Sequence, residues 1–311
     1  MKALWLIPLL AAAAVASAPP AGACACGIAI QADVAYEEGL VTWDGRHETT
    51  TVKLDLQNAG PRAAVVFPVP AEPRVHQIKA GTDLFGYLDK ATRPPQPESG
   101  GEGSGAAAPA GVDVVSRRTI GAFDVAVLRS TRSDALAAWL SRNSYRVPAA
   151  AQPILDRYVK RRWDFVAIKL AKGRDGSLAP LRISFDAGRA VYPMELSRAA
   201  RAPVSLRLYV NSRRAVDATG IAGMQRVFDS DVDDLDPRPP AEIRALLPEP
   251  HLTRLELTGA APSAIHGDVG LRTASVSTSG GSGLGWLAWV AIAAAALALL
   301  VAALRLRRRT G

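Results

Sequence analysis

The sequence predicts an α+β fold, mainly antiparallel β-sheet with a two-helix insertion, held outside a membrane between an export signal and one C-terminal transmembrane helix. Three observations predict it. Several segments alternate apolar and polar residues with period 2, a helical period runs through residues 133–160, and charge-free apolar runs stand at both ends of the chain.

The first element is the leader. Lys2 gives a short basic region, Leu4 to Ala18 an apolar run, and Ala21-Gly22-Ala23 a small-x-small cleavage site, so residues 1–23 read as a signal peptide cut after Ala23. Cys24 and Cys26 then stand at the mature N-terminus. A local disulfide or free thiols are the readings that fit best. Lipidation of Cys24 is a minor third, since Ala21 replaces the usual lipobox Leu. Two thiolates alone do not complete a tetrahedral metal site, and two cysteines do not make a disulfide scaffold.

Residues 24–275 form the expected extracytoplasmic domain. From Ile28 to about Lys90 the pattern is strand-like, with Glu37-Glu38-Gly39 as a turn. Val52, Leu54 and Leu56 alternate with polar residues, Asn58 to Pro61 supply a turn, and Ala63 to Phe67 return, which predicts a hairpin ended by Pro68-Val69-Pro70. Residues 93–111 carry no large apolar side chain and read as a flexible loop. Val112 to Leu128 predict two strands around Gly121.

Two helices follow. Ser133 is placed to cap the first, whose Leu136, Trp139, Leu140 and Asn143 recur at helical spacing; the second starts near Pro153 and presents Ile154, Leu155, Tyr158 and Val159. The aromatic set between Trp139 and Trp163 reads as core, because Trp139 shares its face with leucines. Trp163 to Leu170 predict a central strand, and alternation marks further strands at Leu181 to Phe185, Val204 to Val210 and Leu252 to Leu257, with a short helix at Ala241 to Leu247.

Residues 276–283 read as a Ser/Gly stalk and residues 284–304 as the transmembrane helix. The span is about the 20 residues that a bilayer core of roughly 30 Å requires. Trp286 and Trp289 mark its outer edge, and Arg305, Arg307, Arg308 and Arg309 its cytoplasmic edge, so the expected topology is single-pass with the N-terminus out and residues 305–311 as the tail.

The formal charge of +8 falls to +3 once Lys2 and the four tail arginines are set aside. Outside the tail no run of basic residues is longer than Lys160-Arg161-Arg162, which reads as a solvated helix face, so nucleic acid is not an expected partner. The alternating acids from Asp229 to Asp236 begin like a calcium loop. Asp234 stands where that loop needs Gly, however, and Pro240 where it needs Glu, so an acidic surface loop is expected. His47, His76, His251 and His266 lack metal-ligand spacing, and nucleophile-elbow and phosphate-loop motifs are absent from the sequence. No catalytic, cofactor or metal residue is assigned.

One resemblance spans nearly the whole exported region. Ala25-Cys26-Gly27, Phe67-Pro68-Val69-Pro70-Ala71-Glu72-Pro73, Leu136-x-x-Trp139-Leu140-x-x-Asn143-x-Tyr145-x-Val147-Pro148, Tyr158-Val159, Trp163-Asp164-Phe165-Val166-Ala167, Pro180-Leu181-Arg182 and Leu252-Thr253-Arg254-Leu255 occur in that order. This set resembles an uncharacterised bacterial family, domain of unknown function 2330. The resemblance implies a secreted or surface-anchored protein without an assigned site. The expected function is therefore non-enzymatic binding or scaffolding of an envelope protein or polymer. An extracytoplasmic hydrolase assembled from distant residues and a calcium-stabilised adhesion module are the alternatives.

Overall fold

Two sheets face each other across one apolar layer, and each carries helices on its other face. The computed structural model describes residues 28–30, 36–53, 64–79, 81–93, 113–120, 123–145, 147–170 and 180–274. The expected leader, Cys24 and Cys26, the turn at Asn58 to Pro61, nearly all of the 93–111 loop, the stalk, the membrane span and the tail lie outside those residues. Among the described residues, no helix is long and apolar enough to cross a membrane. The chain divides into Met1–Thr273 and Ala274–Gly311, and the fold below is that of the first unit.

The five-stranded sheet has the order β1(Ile28–Ile30), β4(Ala64–Val69), β8(Asp164–Leu170), β7(Phe123–Arg129), β6(Asp113–Ile120), all antiparallel. The seven-stranded sheet runs β13(Gln225–Asp231), β14(His251–Ala260), β11(Val204–Ser212), β2(Glu37–Trp43), β3(His47–Lys53), β9(Leu181–Asp186), β5(Arg74–Gln77). Its β2–β11 pair is parallel and its other pairs are antiparallel. A third sheet of β10(Val191–Tyr192), β15(Ile265–Thr273) and β12(Val216–Ile221) adds to the same apolar layer. The fold is thus mainly antiparallel β with few helices, as the alternation predicts.

Strand alternation assigns the layers. Val65, Phe67, Phe123, Val125, Val127, Val166 and Ile168 point from the five-stranded sheet toward Val41, Val52, Ile183, Leu206, Leu208 and Leu255 of the seven-stranded one. The intervening residues Val66, Ala126, Phe165 and Ala167 face α2(Ser133–Arg142) and α3(Gln152–Lys160), which bury Leu136, Trp139, Leu140, Leu155 and Tyr158 on them. On the opposite outer face, Leu40, Tyr209 and Leu252 receive α1(Leu84–Thr92) and α4(Ala241–Arg244).

Several expectations are corrected. Glu37-Glu38-Gly39 is not a turn but the start of β2. Both faces of β2 are covered, so its side chains do not alternate in polarity, and its two glutamates are buried with partners. Among the described residues the pairing expected of the hairpin is absent: β3 pairs with β2 and β9, while β4 pairs with β1 and β8 in the other sheet. All of β4 is buried, and such a strand belongs in mid-sheet rather than beside a half-exposed neighbour.

Nor does β4 stop before the prolines. Pro68 lies within it opposite Phe165, beyond the 64–66 stretch that β1 pairs, so its missing N–H interrupts no ladder on that side. The strand-like reading up to Lys90 gives way to α1, where Asp83 accepts from Gly86 N at 3.1 Å as N-cap and Leu84, Phe85 and Leu88 share the buried face. Arg93, expected in the loop, is the C-cap of α1. Ser133 is the first helical residue of α2 rather than its cap; extended Arg132 takes that position without a side-chain bond. Finally, Asp229, Ser230 and Asp231 are strand, the end of β13 on the edge of the large sheet.

Candidate functional site

At one end of the seven-stranded sheet, β3, β9 and β5 lie side by side, and pairing sets their residues in rows: His47 opposite Asp186, and Thr49 opposite Ser184 opposite Arg74. Inward residues Phe185 and Ile183 belong to the core, so the alternate ones form a polar outer face. The turn between β4 and β5 brings Ala71 and Glu72 beside it. Together His47, Ala71, Glu72, Arg74, Ser184, Phe185 and Asp186 line an open cleft of about 230 Å³.

Fixed charges hold this cleft in place. Arg129, at the end of β7, donates from Nε and Nη2 to both carboxylate oxygens of buried Asp164 at 2.9 and 2.6 Å, and from Nη2 to Glu72 at 3.0 Å. The hydrogen bonds it donates to Asp164 and then to Glu72 push the guanidinium pKa up, so the charge is permanent. The fork ties the β4–β5 turn to the five-stranded sheet. Asp44 accepts from the backbone N–H of Arg46 and His47, both at 2.7 Å, which shapes the β2–β3 turn. The His47 and then the Arg46 N–H bonds hold its carboxyl below the usual range.

The cleft gathers a histidine, a serine and carboxylates, but they are committed to other groups. His47 Nδ1 lies 3.2 Å from Asp44 and Nε2 3.1 Å from Asp186, so both ring nitrogens are occupied by carboxylates. Ser184 Oγ shares a hydroxyl–hydroxyl bond with Thr49 Oγ1 at 2.9 Å. A nucleophile needs an oriented base with a free nitrogen. What the arrangement offers instead is both signs of charge and a hydroxyl on a fixed frame.

Three further polar clusters are internal staples. Glu195, 3% exposed, accepts from Arg157 Nε and from Arg161 Nη2 at 2.9 Å; Asp268 on β15 accepts from Arg161, from Tyr158 Oη and from the Met194 and Glu195 N–H groups. This joins α3 to the small sheet. Burial, followed by the charge of Asp268, raises the Tyr158 pKa well above that of a free phenol. On the outer face of the large sheet, Arg207 meets Glu38 at 3.1, Asp89 at 2.6 and Glu256 at 3.0 Å, binding α1 to β2, β11 and β14. Within the core, Glu48 accepts from Val191 N–H at 2.9 Å and Thr50 Oγ1 at 3.0 Å, and burial pushes its pKa up to about 8.

The residues singled out from sequence fall at separate places. His47 alone of the four histidines lines the cleft; His76 and His266 are exposed on β5 and β15. His251 meets Asp231 at 3.0 Å and Asp229 at 3.7 Å, and Asp229 also pairs with Arg226 and Asp233 with Arg244. Asp229 and Asp231 therefore face basic groups. Among the described residues, no group of three or more His, Cys, Asp or Glu is arranged to hold a metal ion. Trp139 is fully buried and stacks on Tyr145 at 5.8 Å, while Asn143 Nδ2 donates to Trp139 O at 2.8 Å and Lys169 Nζ to Asn143 O. The Leu136 to Tyr145 segment is thus a packing device. Sequence reasoning missed Glu48, Glu195, Asp268 and the cleft; the one available signal was Glu48 in the inward phase of β3 with Val52.

The sequence profile of an uncharacterised protein family conserved in bacteria, domain of unknown function 2330, matches residues 20–272. The chain belongs to this family. For this member of domain of unknown function 2330, the match covers the whole described fold up to the last residues of β15. No curated protein matches the chain. Among solved structures, baculovirus P35 is similar at 10% identity and a TM-score of 0.37, covering 79% of this chain and 98% of that one. A mutated baculovirus P35 after caspase cleavage gives 9%, 0.35, 78% and 98%.

Proposed function

We propose that the chain is a membrane-anchored extracytoplasmic protein whose folded part binds or scaffolds a polar component of the cell envelope without carrying out a reaction. One observation carries the reading: the cleft beside the Pro70–Pro73 turn displays Glu72, Arg74, Asp186 and His47 on a frame pinned by Arg129, while Ser184 and His47 are each held by other groups. Mixed charge on a preorganised surface suits a zwitterionic partner segment, a peptide or an amino-bearing wall polymer. Export and anchorage rest on the apolar runs at the two ends and on the arginines from Arg305 to Arg309.

The test is a melting curve of the full chain in detergent against soluble wall-polymer fragments and short envelope peptides. A true ligand at about 100 times its dissociation constant raises stability by roughly 2.7 kcal/mol. That gain disappears in Arg74→Ala/Asp186→Ala. A second reading, an extracytoplasmic hydrolase, is favoured by the presence of His47, Ser184 and Asp186 in the same cleft. Turnover of ester, peptide or glycoside substrates that is abolished by both Ser184→Ala and His47→Ala would replace the binding reading.

A further inference from the structure

The described fold ends where β15 ends, and that end is surrounded by arginine. Thr273 pairs with Val216, the first residue of β12, and Arg272 with Asp217. Arg213 and Arg214 lie on the exposed turn just before Val216. Arg213 reaches over the β2–β3 turn, its guanidinium carbon 3.9 Å from where a Gly45 side chain would begin, which places Arg46 of that turn beside it. Leu271 N–H donates to Ala190 O at 3.2 Å, so exposed Arg189 flanks the other side of the same strand end. Among the described residues, Arg46, Arg189, Arg214 and Arg272 have no carboxylate within ion-pair distance, and Arg213 reaches Glu249 only at 3.8 Å.

We infer that this arginine face is a docking surface for the anionic headgroups of the membrane into which the chain is anchored. The inference rests on the anchorage reading above and deepens it by naming which face meets the lipid. Its first support is where the fold ends: only residues 274–283 separate β15 from the apolar run at 284–304. Fully extended, ten residues reach at most about 35 Å. Its second support is charge. Each arginine held near an anionic bilayer raises its local occupancy about five-fold, and the attraction reaches about 10 Å through salt solution. The chain length lets the strand end approach the headgroups, and the face around it holds five guanidinium groups against Asp44 of the β2–β3 turn, Asp217, which Arg226 engages, and Glu249 at 3.8 Å.

The experiment uses the full chain in lipid nanodiscs containing either phosphatidylcholine alone or about 30% phosphatidylglycerol, read by amide hydrogen exchange. In the anionic discs the amides of residues 44–47 and 213–215 exchange about ten-fold more slowly, and the added protection vanishes in Arg46→Glu/Arg213→Glu/Arg214→Glu. Raising salt to about 0.5 M removes it from the unaltered chain, which separates a charge effect from a folding defect of the variant. Equal exchange in the two discs with the chain still embedded overturns the inference alone. Protection that appears instead at the exposed basic residues 160–162 overturns it too, since another face then meets the lipid. A chain that does not stay with either disc overturns the anchorage reading, and the inference with it.

Discussion

The hydroxyl of Tyr192 donates to the buried carboxylate of Glu37, and the ring that carries it lies against Gly39, two residues along the same strand. A Cβ on Gly39 would stand 2.8 Å from that hydroxyl and 3.0 Å from the ring edge. Tyr192 is fully buried and bonded at its tip, so the ring has no room to move aside. The small sheet is thereby fastened to the large one at a point where only glycine fits.

Gly39→Ala therefore destabilises by about 1–3 kcal/mol through overpacking. Tyr192→Phe costs about 1–3 kcal/mol by removing a donor from a buried carboxylate. Chemical denaturation of both single variants and the double variant checks this. The expected coupling is non-additive, because Tyr192→Phe removes the hydroxyl nearest the new methyl group.

The pH dependence of stability carries a signature of Glu48. Its pKa is about 8 in the folded chain against an ordinary value of 4.5, so between those values the folded state holds a proton that the unfolded state has released. Its contribution is complete below pH 4.5, falls as pH rises, and is lost above about 8. Relative to Glu48→Gln, the native chain loses on the order of 3 kcal/mol between pH 5 and 8. Parallel pH profiles of the two proteins would refute the assignment.

Asn143→Ala costs about 1–2 kcal/mol, since Asn143 is fully buried and donates to Trp139 O where α2 ends. Trp139→Ala costs more, about 3–5 kcal/mol, by opening a large cavity beneath the five-stranded sheet. Urea titration with unchanged slopes confirms that both act on the folded state.

Asp268→Asn is expected to weaken the attachment of α3 to the small sheet by about 1–3 kcal/mol, because one of its oxygens accepts from two backbone N–H groups and Tyr158. Arg161→Ala costs less, under about 1 kcal/mol, since that side chain is 41% exposed and screened. A double-mutant cycle on the pair measures the coupling directly.

Calcium at about 1 mM leaves the melting temperature where a chelator leaves it, because Asp229 and Asp231 are engaged by Arg226 and His251. A rise of several degrees would restore the adhesion-module reading.

Much of the fold was legible because burial on one face leaves a period. β7, β8, β9, β11 and β14, and the helices α2, α3 and α4, fall where their alternation or helical spacing places them. Elements that were misread or missed include β2, α1, β10, β12, β13 and β15. β2 is buried on both faces and begins with two glutamates, α1 opens after a short polar turn, and β10 is only two residues long. The cleft was not legible at all. Its lining comes from β3, the β4–β5 turn, β5 and β9, residues more than 130 positions apart that only strand pairing brings into one row.

The sequence alone determined the class of fold, the family, and the expectation of export and anchorage, because periodicity, motif order and apolar run length are local properties of the chain. Tertiary structure decided which strands pair, where the buried glutamates find their donors, and that His47 and Ser184 meet in one cleft while bound to other groups. Those are non-local facts. A carboxylate can be buried only where another segment brings it a hydrogen bond, and no window of sequence records which segment that will be.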